Sequence, residues 1–149
     1  MIALLYGAGL RVSEVVNLKI LDLDFEHRCL FVRKAKGNKD RITILPEKII
    51  EPLLQVIAGR DVNNWVFVSR FGSKYSVRTV QIIFEKASVN AGLRKGTCHS
   101  LRHSFATHLL NDGIDIKTLK NLMGHKSVKT TIQYIHISTI QEKPIKSPL

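Results

Sequence analysis

The stretch HSLRHSFATHLLNDGIDIKTLKNLMG, residues 99–124, predicts two consecutive helices, and the class of fold follows from it. Apolar residues recur at helical spacing on both sides of Gly113, and Asp115 stands where it can cap the second helix. We expect the first helix over residues 100–111 and the second over residues 116–123. The centre of this chain is therefore helical.

The flanking sequence predicts more helices and one small sheet. KAKGNKD separates two β-rich runs, and its Gly-Asn pair favours a hairpin turn. Further helices are expected over residues 1–6, 11–19, 46–57, 77–90 and 127–137, and strands over residues 29–33, 41–45 and 65–68. The predicted fold class is α+β, mostly α-helical with a small three-stranded antiparallel sheet, because strands and helices do not alternate.

The overall charge indicates a polyanionic partner. The chain has 149 residues with 23 Lys and Arg against 12 Asp and Glu, a formal net charge of +11. Such an excess attracts nucleic acid, although an RNA-binding or ribosomal protein, or a merely basic surface, fits the charge as well. Cys29 and Cys98 form no disulfide framework, and no apolar run reaches the length of a membrane span, so no membrane partner is expected.

The histidines of the central stretch do not match a metal site. His99 and His103 have the i, i+4 spacing that can place two ligands on one helix face, but no acidic residue lies between them as in zinc proteases. His108 turns off that face. We expect His103 and His108 to be satisfied by backbone or water, and we expect no metal.

His99 and Arg102 suit a phosphate better. They lie one helical turn apart, so both can project the same way. Thr97 or the 97–99 segment opens this helix, and helix N-termini favour anions. The guanidinium supplies a planar fork for two oxygens, and the imidazole supplies a donor that can also move a proton.

Three other segments carry matching chemistry. Arg11 lies in GLRVSE after a Gly-x-Gly bend, where it can approach a phosphate from a second direction, and Glu14 either orients it or faces water. A basic hairpin tip and a final segment with a histidine and a tyrosine add to these, and their residues are Lys34, Lys36, Lys39, Arg41, His125 and Tyr134. Taken alone, each is also compatible with a solvated or core position.

The hairpin and the final segment could supply an acid and a nucleophile. A lysine such as Lys36 can protonate a leaving alkoxide if nearby cations lower its pKa. A tyrosine flanked by cations, such as Tyr134, can attack phosphorus. The combined composition suits phosphoryl transfer without metal or cofactor, since arginines stabilise the charge that develops on the non-bridging oxygens.

Together these segments resemble the catalytic domain of the tyrosine recombinases, the phage integrase family, near its Xer and integron-integrase branches. The segments that carry the resemblance are LLYGAGLRVSE, KGNKDR, HSLRHSFATHLL and LMGHKSVKTTIQYIH. The resemblance implies six catalytic residues and one supporting carboxylate, namely Arg11, Lys36, His99, Arg102, His125, Tyr134 and Glu14. It leaves Lys34, Lys39 and Arg41 as DNA-binding residues of the hairpin.

The mechanism that the resemblance implies is metal-free strand exchange. Tyr134 would attack a DNA phosphate to form a 3′-phosphotyrosyl bond, and Lys36 would protonate the leaving 5′-oxygen. Arg11 and Arg102 would clamp the non-bridging oxygens. His99 would assist proton transfer, and His125 would add a hydrogen bond. The expected partner is double-stranded DNA, in the cytoplasm at the nucleoid of a prokaryote, phage or mobile element.

The resemblance also implies how the chain is organised. Residues 1–138 are expected to form the catalytic domain, with its front helix truncated and an N-terminal core-binding domain absent, and residues 139–149 an extended C-terminal tail. Full-length relatives are expected to act as tetramers on paired DNA sites, and a fragment as a monomer. The alternatives are a catalytically incompetent DNA-binding fragment and a type IB topoisomerase, which rejoins the same strand.

Overall fold

A computed structural model describes residues 1–35, 39–93, 96–124 and 147–149. Within them lie six α-helices, two 3₁₀ turns and three strands. The helices are α1 (Ile2–Gly7), α2 (Val12–Val16), α3 (Ile50–Ile57), α4 (Val77–Asn90), α5 (Cys98–Asn111) and α6 (Ile116–Met123). The strands are β1 (Leu23–Asp24), β2 (Cys29–Ala35) and β3 (Lys39–Ile44), and the 3₁₀ turns are Ile20–Asp22 and Glu47–Ile49. The predicted α+β class is confirmed.

The sheet is antiparallel, with strand order β1-β2-β3. The register pairs Cys29 with Ile44 across β2 and β3, and an irregularity falls between Val32 and Ala35. The two β-rich runs predicted from the sequence are these two strands. The Gly-Asn turn between them, at residues 37–38, lies outside the described residues.

The third predicted strand is wrong. Residues 65–68 do not join the sheet, and its third strand is β1. Trp65 and Val68 form only isolated bridges, with Lys19 and Lys74. The run instead crosses beside the end of α2, where Val66 is completely buried and its N–H donates to the Leu18 carbonyl at 2.8 Å. Val66 is therefore buried, and the other apolar residues of the run are partly buried, without a place in the ladder.

The same crossing shortens α2. The sequence predicts a helix over residues 11–19, but α2 ends at Val16. Beyond it, the N–H of Ile20 donates to the Asn64 carbonyl at 3.0 Å, and that of Leu21 to the Val62 carbonyl at 2.8 Å. Backbone pairing with a distant segment thus replaces helical hydrogen bonds that the local apolar spacing favours.

Helices α4 and α6 begin directly after their predicted capping residues. Ser76 accepts from the N–H of Thr79 at the start of α4. Asp115 accepts from Lys117 and Thr118 at the start of α6, and Gly124 ends that helix with a left-handed φ of 68°. Helix α5 begins two residues before the predicted start, and Thr97 caps it.

Two apolar clusters hold these elements. The larger is built from α1, α2, the sheet, α3 and α4, and the smaller contains Phe105, Leu109, Leu119, Leu122 and Met123. Helix α5 packs on α1, and α6 packs on both α5 and β3. The loop after α1 therefore lies against α5, and the end of α6 lies against the sheet.

The last three residues lie against α1. Ser147 Oγ donates to the carbonyl of Gly7 at 2.6 Å, and the Tyr6 hydroxyl donates to the carbonyl of Pro148 at 3.1 Å. The predicted last helix over residues 127–137 and the rest of the predicted tail lie outside the described residues. No helix in the described part of the chain has the length and apolar character needed to cross a membrane.

Candidate active site

Glu14 is the centre of a buried ionic cluster. Its Oε1 accepts from Arg11 Nη1 at 2.9 Å and from Arg41 Nη1 at 2.7 Å. Its Oε2 accepts from the backbone N–H of Arg11 at 2.7 Å and from Arg41 Nη2 at 2.8 Å. Only 7% of this side chain is exposed. Of the two alternatives for Glu14 left open by the sequence, the structure places it as the partner of Arg11.

The bend before α2 places Arg11. Gly9 has a φ of +62°, a left-handed conformation that glycine adopts without steric cost. Arg11 then stands extended at the N-cap of α2, and Glu14 is the third helical residue, where its carboxylate can accept the N-cap N–H. The spacing in GLRVSE is thus the spacing of a helix start.

Arg102 joins three segments. Its Nη1 donates to the carbonyl of Gly9, and its Nη2 donates to the carbonyl of Met123 at 2.5 Å. Arg102 Nη1 also lies 3.9 Å from Glu14 Oε2. The guanidinium is buried, so α5, the bend after α1 and the end of α6 are held together at the site.

Positive charges outnumber negative charges in this cluster. Burial by itself raises the pKa of Glu14, but hydrogen bonds and charge from Arg41 and hydrogen bonds from Arg11 outweigh it and hold that pKa at about 2. Burial and the positive charges of Arg11 and Arg41 lower the pKa of Arg102 to about 10, and the charge of Glu14 opposes this only in part. Three guanidiniums face one carboxylate, which leaves two positive charges for an anion to neutralise.

An open cavity gives access to Arg11. It has a volume of about 380 Å³, and its polar lining comes from Arg11, Ser13, Glu14, Asn17, Asp22 and Arg33. Arg11 is 24% exposed, whereas Arg102 is 3% exposed. Of the three arginines around Glu14, only Arg11 lines this cavity and is partly exposed.

His99 and Arg102 have different surroundings. His99 is exposed in the first turn of α5, and Arg102 one turn later is buried. The sequence predicts that both project the same way, and the structure instead turns the guanidinium inward to two backbone carbonyls. His108, expected to be satisfied by backbone or water, instead hydrogen-bonds through Nδ1 to the side-chain hydroxyl of Tyr6 at 2.6 Å, with the two rings edge to face.

Arg41 differs from its prediction. We expected it to face DNA with the hairpin lysines, but it is 4% exposed. Its Nε donates to the Leu122 carbonyl at 2.8 Å, and its two Nη atoms hold Glu14. Sequence reasoning missed this role, although a signal was present. Arg41 alternates with Thr43 and Leu45, which are also buried, so all three are on the inward side of the strand run.

Three predicted site residues, Lys36, His125 and Tyr134, lie outside the described residues. Lys34 belongs to β2 and Lys39 to β3. Across the described ranges, no group of three or more His, Cys, Asp or Glu residues could hold a metal ion. The described part of the site therefore consists of arginines around one glutamate, with His99 nearby along the helix.

A cluster of three guanidiniums around one carboxylate has the charge and the donors that suit an anion such as a phosphate group. The sequence assigns the chain more specifically: the family model described as the phage integrase family matches residues 1–140. The chain belongs to this family.

Curated relatives support the assignment. The chain is 41% identical over 149 residues to the tyrosine recombinase XerA of Thermococcus onnurineus (strain NA1), covering 94% of this chain and 52% of the relative. It is 40% identical over 149 residues to the tyrosine recombinase XerC of Lactobacillus leichmannii, covering 92% and 49%. The chain thus spans about half the length of the curated relatives it matches.

Solved structures share the fold. A crystal structure of XerA recombinase matches with a TM-score of 0.76 and 31% identity, covering 95% of this chain and 55% of that one. A pre-cleavage complex of the XerH site-specific recombinase bound to its difH substrate matches with a TM-score of 0.68 and 25% identity, covering 96% and 46%. The α+β domain described above is therefore a recombinase fold.

Proposed function

We propose that this chain supplies the catalytic part of a site-specific DNA recombinase, which cleaves and rejoins strands through a 3′-phosphotyrosyl intermediate. The observation that carries the proposal is the cluster of Arg11, Arg41 and Arg102 around Glu14, with its two unneutralised charges. Family membership supplies the reaction class, because the relatives at about 40% identity are named tyrosine recombinases.

The scissile phosphate binds at the open side of the cluster. Arg11 donates to its non-bridging oxygens from the cavity. Arg102 is held by two carbonyls and so keeps its charge close to the phosphate without reorganising during the reaction. A guanidinium has five N–H donors, more than the two that the carbonyls of Gly9 and Met123 require.

Side chains that approach this phosphate carry out the chemistry. The Tyr134 oxygen loses its proton with the help of His99 and forms a bond to phosphorus. The bond from phosphorus to the 5′-oxygen breaks, and Lys36 gives that oxygen its proton. His125 donates a hydrogen bond to the phosphate. The 5′-hydroxyl of a partner strand then reverses the step, so no metal or nucleotide cofactor takes part.

Double-stranded DNA is the partner. The net charge of +11 and the DNA-bound XerH relative support this. Lys34 and Lys39 contact the DNA backbone. Four protomers assemble on two DNA sites, and this assembly requires the half of the relatives' length that the present chain does not cover. The protein acts in the cytoplasm, where its DNA is.

A covalent adduct tests the proposal. The protein is mixed, without metal, with nicked duplexes drawn from DNA that flanks its gene, and the products are separated on a denaturing gel. The test is run for this chain and for a chimera. The chimera joins this chain to the part of the XerA relative that this chain does not cover. We expect a shifted band that is lost in Tyr134→Phe. The band should persist in the control Tyr75→Phe, because Tyr75 is a half-buried tyrosine outside the site.

A DNA-binding fragment without catalysis is the second candidate. It is favoured by the same positive charge and by the half-length match to relatives. For it we expect salt-dependent DNA binding and no adduct, either from this chain or from the chimera. An adduct lost in Tyr134→Phe excludes this candidate, and plasmid relaxation without exchanged strands indicates a topoisomerase.

A further inference from the structure

Arg41 is held at three points inside the protein. Its Nη1 and Nη2 donate to the two oxygens of Glu14 at 2.7 and 2.8 Å, and its Nε donates to the carbonyl of Leu122 at 2.8 Å. Only 1% of its side chain is exposed. A planar guanidinium can make these three contacts at once, whereas the single ammonium of a lysine cannot reproduce their geometry.

These contacts connect the two arginines proposed to hold the phosphate. Glu14 receives both the backbone N–H and the guanidinium of Arg11. Leu122 precedes Met123, whose carbonyl receives the guanidinium of Arg102. A shift of Arg41 therefore moves the supports of Arg11 and Arg102 together.

The stem of Arg41 also lies against the end of α6. Gly124 has a φ of +68°, and a Cβ built on it would lie 2.7 Å from Arg41 Cδ. The backbone immediately before His125 thus passes directly over this side chain. The space leaves no room for any residue but glycine unless Arg41 moves.

A purely structural role is a poor account of this pair. Burying two charges costs desolvation energy, and well-packed apolar residues of similar volume often stabilise a fold equally well. Arg41 moreover adds positive charge beside Arg102, where it opposes the protonated state of that residue. A phosphate bound beside these guanidiniums would offset the repulsion between them.

We propose that Arg41 is a positioning residue, which sets the spacing of the Arg11 and Arg102 guanidiniums through Glu14 and Leu122 and seats the backbone that leads to His125. The inference rests on the proposed recombinase function. It assigns Arg41 no contact with DNA.

The first experiment separates positioning from DNA contact. Arg41→Lys and Arg41→Met are compared with Arg28→Met, which removes an arginine of the β1–β2 turn whose ion pair with Glu47 is exposed. We expect the single-turnover rate of adduct formation to fall about a hundredfold in both Arg41 variants, since small misplacements cost that much. DNA affinity and its salt dependence should stay as in the unaltered protein, because Arg41 is assigned no contact with DNA. Loss of a phosphate contact would instead reduce the slope of log affinity against log salt concentration by about 0.9.

The second experiment needs no cleavage. The Nε–Hε NMR signals of Arg11 and Arg102 should move in Arg41→Lys, but not in Arg28→Met, with thermal unfolding still cooperative. If both signals stay in place, or if an Arg41 variant cleaves at the unaltered rate, the positioning role is wrong. If the signals move but the unaltered chain and the chimera form no adduct, the recombinase function is wrong, while the hold of Arg41 on the two arginines stands.

Discussion

The guanidinium of Arg102 donates to the main-chain carbonyl of Met123 at 2.5 Å. Met123 is the last residue of α6, and Arg102 belongs to the second turn of α5. The contact ties the HSLRH segment at the start of α5 to the end of α6, although most of both helices lies between them in the sequence. The last residue of α6 is thus held by Arg102, the arginine proposed to face the phosphate.

Replacement of Arg102 by lysine should reduce cleavage strongly. Lysine keeps the charge but cannot bridge the carbonyls of Gly9 and Met123 while facing a phosphate. We expect adduct formation to fall at least about a hundredfold in single-turnover gel assays. Arg28→Lys is the matched control, and near-normal cleavage by Arg102→Lys would contradict the clamp role.

Removal of the Glu14 charge should destabilise the fold. Glu14→Gln leaves the buried guanidinium of Arg41 without its ion-pair partner, a loss that costs about 3–5 kcal/mol. Urea denaturation at pH 7 measures the free energy of unfolding. Glu47→Gln breaks an exposed ion pair and should change that free energy by less than about 1 kcal/mol. Equal effects of the two substitutions would show that burial does not matter here.

The same carboxylate should contribute to acid sensitivity. The pKa of Glu14 in the folded protein is about 2, against an ordinary value of 4.5. Because the folded-state pKa is the lower one, the stabilisation is complete above pH 4.5 and is lost as pH falls from 4.5 towards 2. Unfolding free energy measured over this range should fall less steeply in Glu14→Gln. Parallel curves for the two proteins would rule out this contribution.

Gly9→Ala should be more harmful than Gly113→Ala. Both glycines have positive φ, +62° and +87°, so both substitutions introduce backbone strain of about 1–2 kcal/mol. A Cβ at Gly9 would lie 2.5 Å from Phe105 Cδ1, whereas nothing lies within 4 Å of one at Gly113. Overpacking should add about 1–3 kcal/mol at Gly9 alone. Thermal unfolding of the two variants checks this difference.

The hairpin lysines should contribute to DNA affinity through phosphate contacts. Lys34→Ala and Lys39→Ala should each reduce the slope of log affinity against log salt by about 0.9, with no preference among DNA sequences. Fluorescence anisotropy at several salt concentrations measures the slope. A lysine whose loss leaves the slope unchanged does not touch the backbone.

Local chemistry made much of the fold predictable. The caps Ser76 and Asp115 act through backbone groups two or three residues away, so the starts of α4 and α6 were confirmed. The end of α2 and the absence of residues 65–68 from the sheet were not predictable in this way. They depend on hydrogen bonds between residues 18–21 and 62–66, and short apolar runs leave such long-range pairing undetermined.

The sequence by itself determined the family, the helix caps and the residue types of the site, because these depend on local order and spacing. The tertiary structure alone decided that Arg41 faces Glu14 and that Arg102 turns inward to Gly9 and Met123. The physical reason is the distance along the chain: 27 positions separate Arg41 from Glu14, and 93 separate Arg102 from Gly9. The pairing of buried charges therefore depends on how α5, α6 and the sheet pack together.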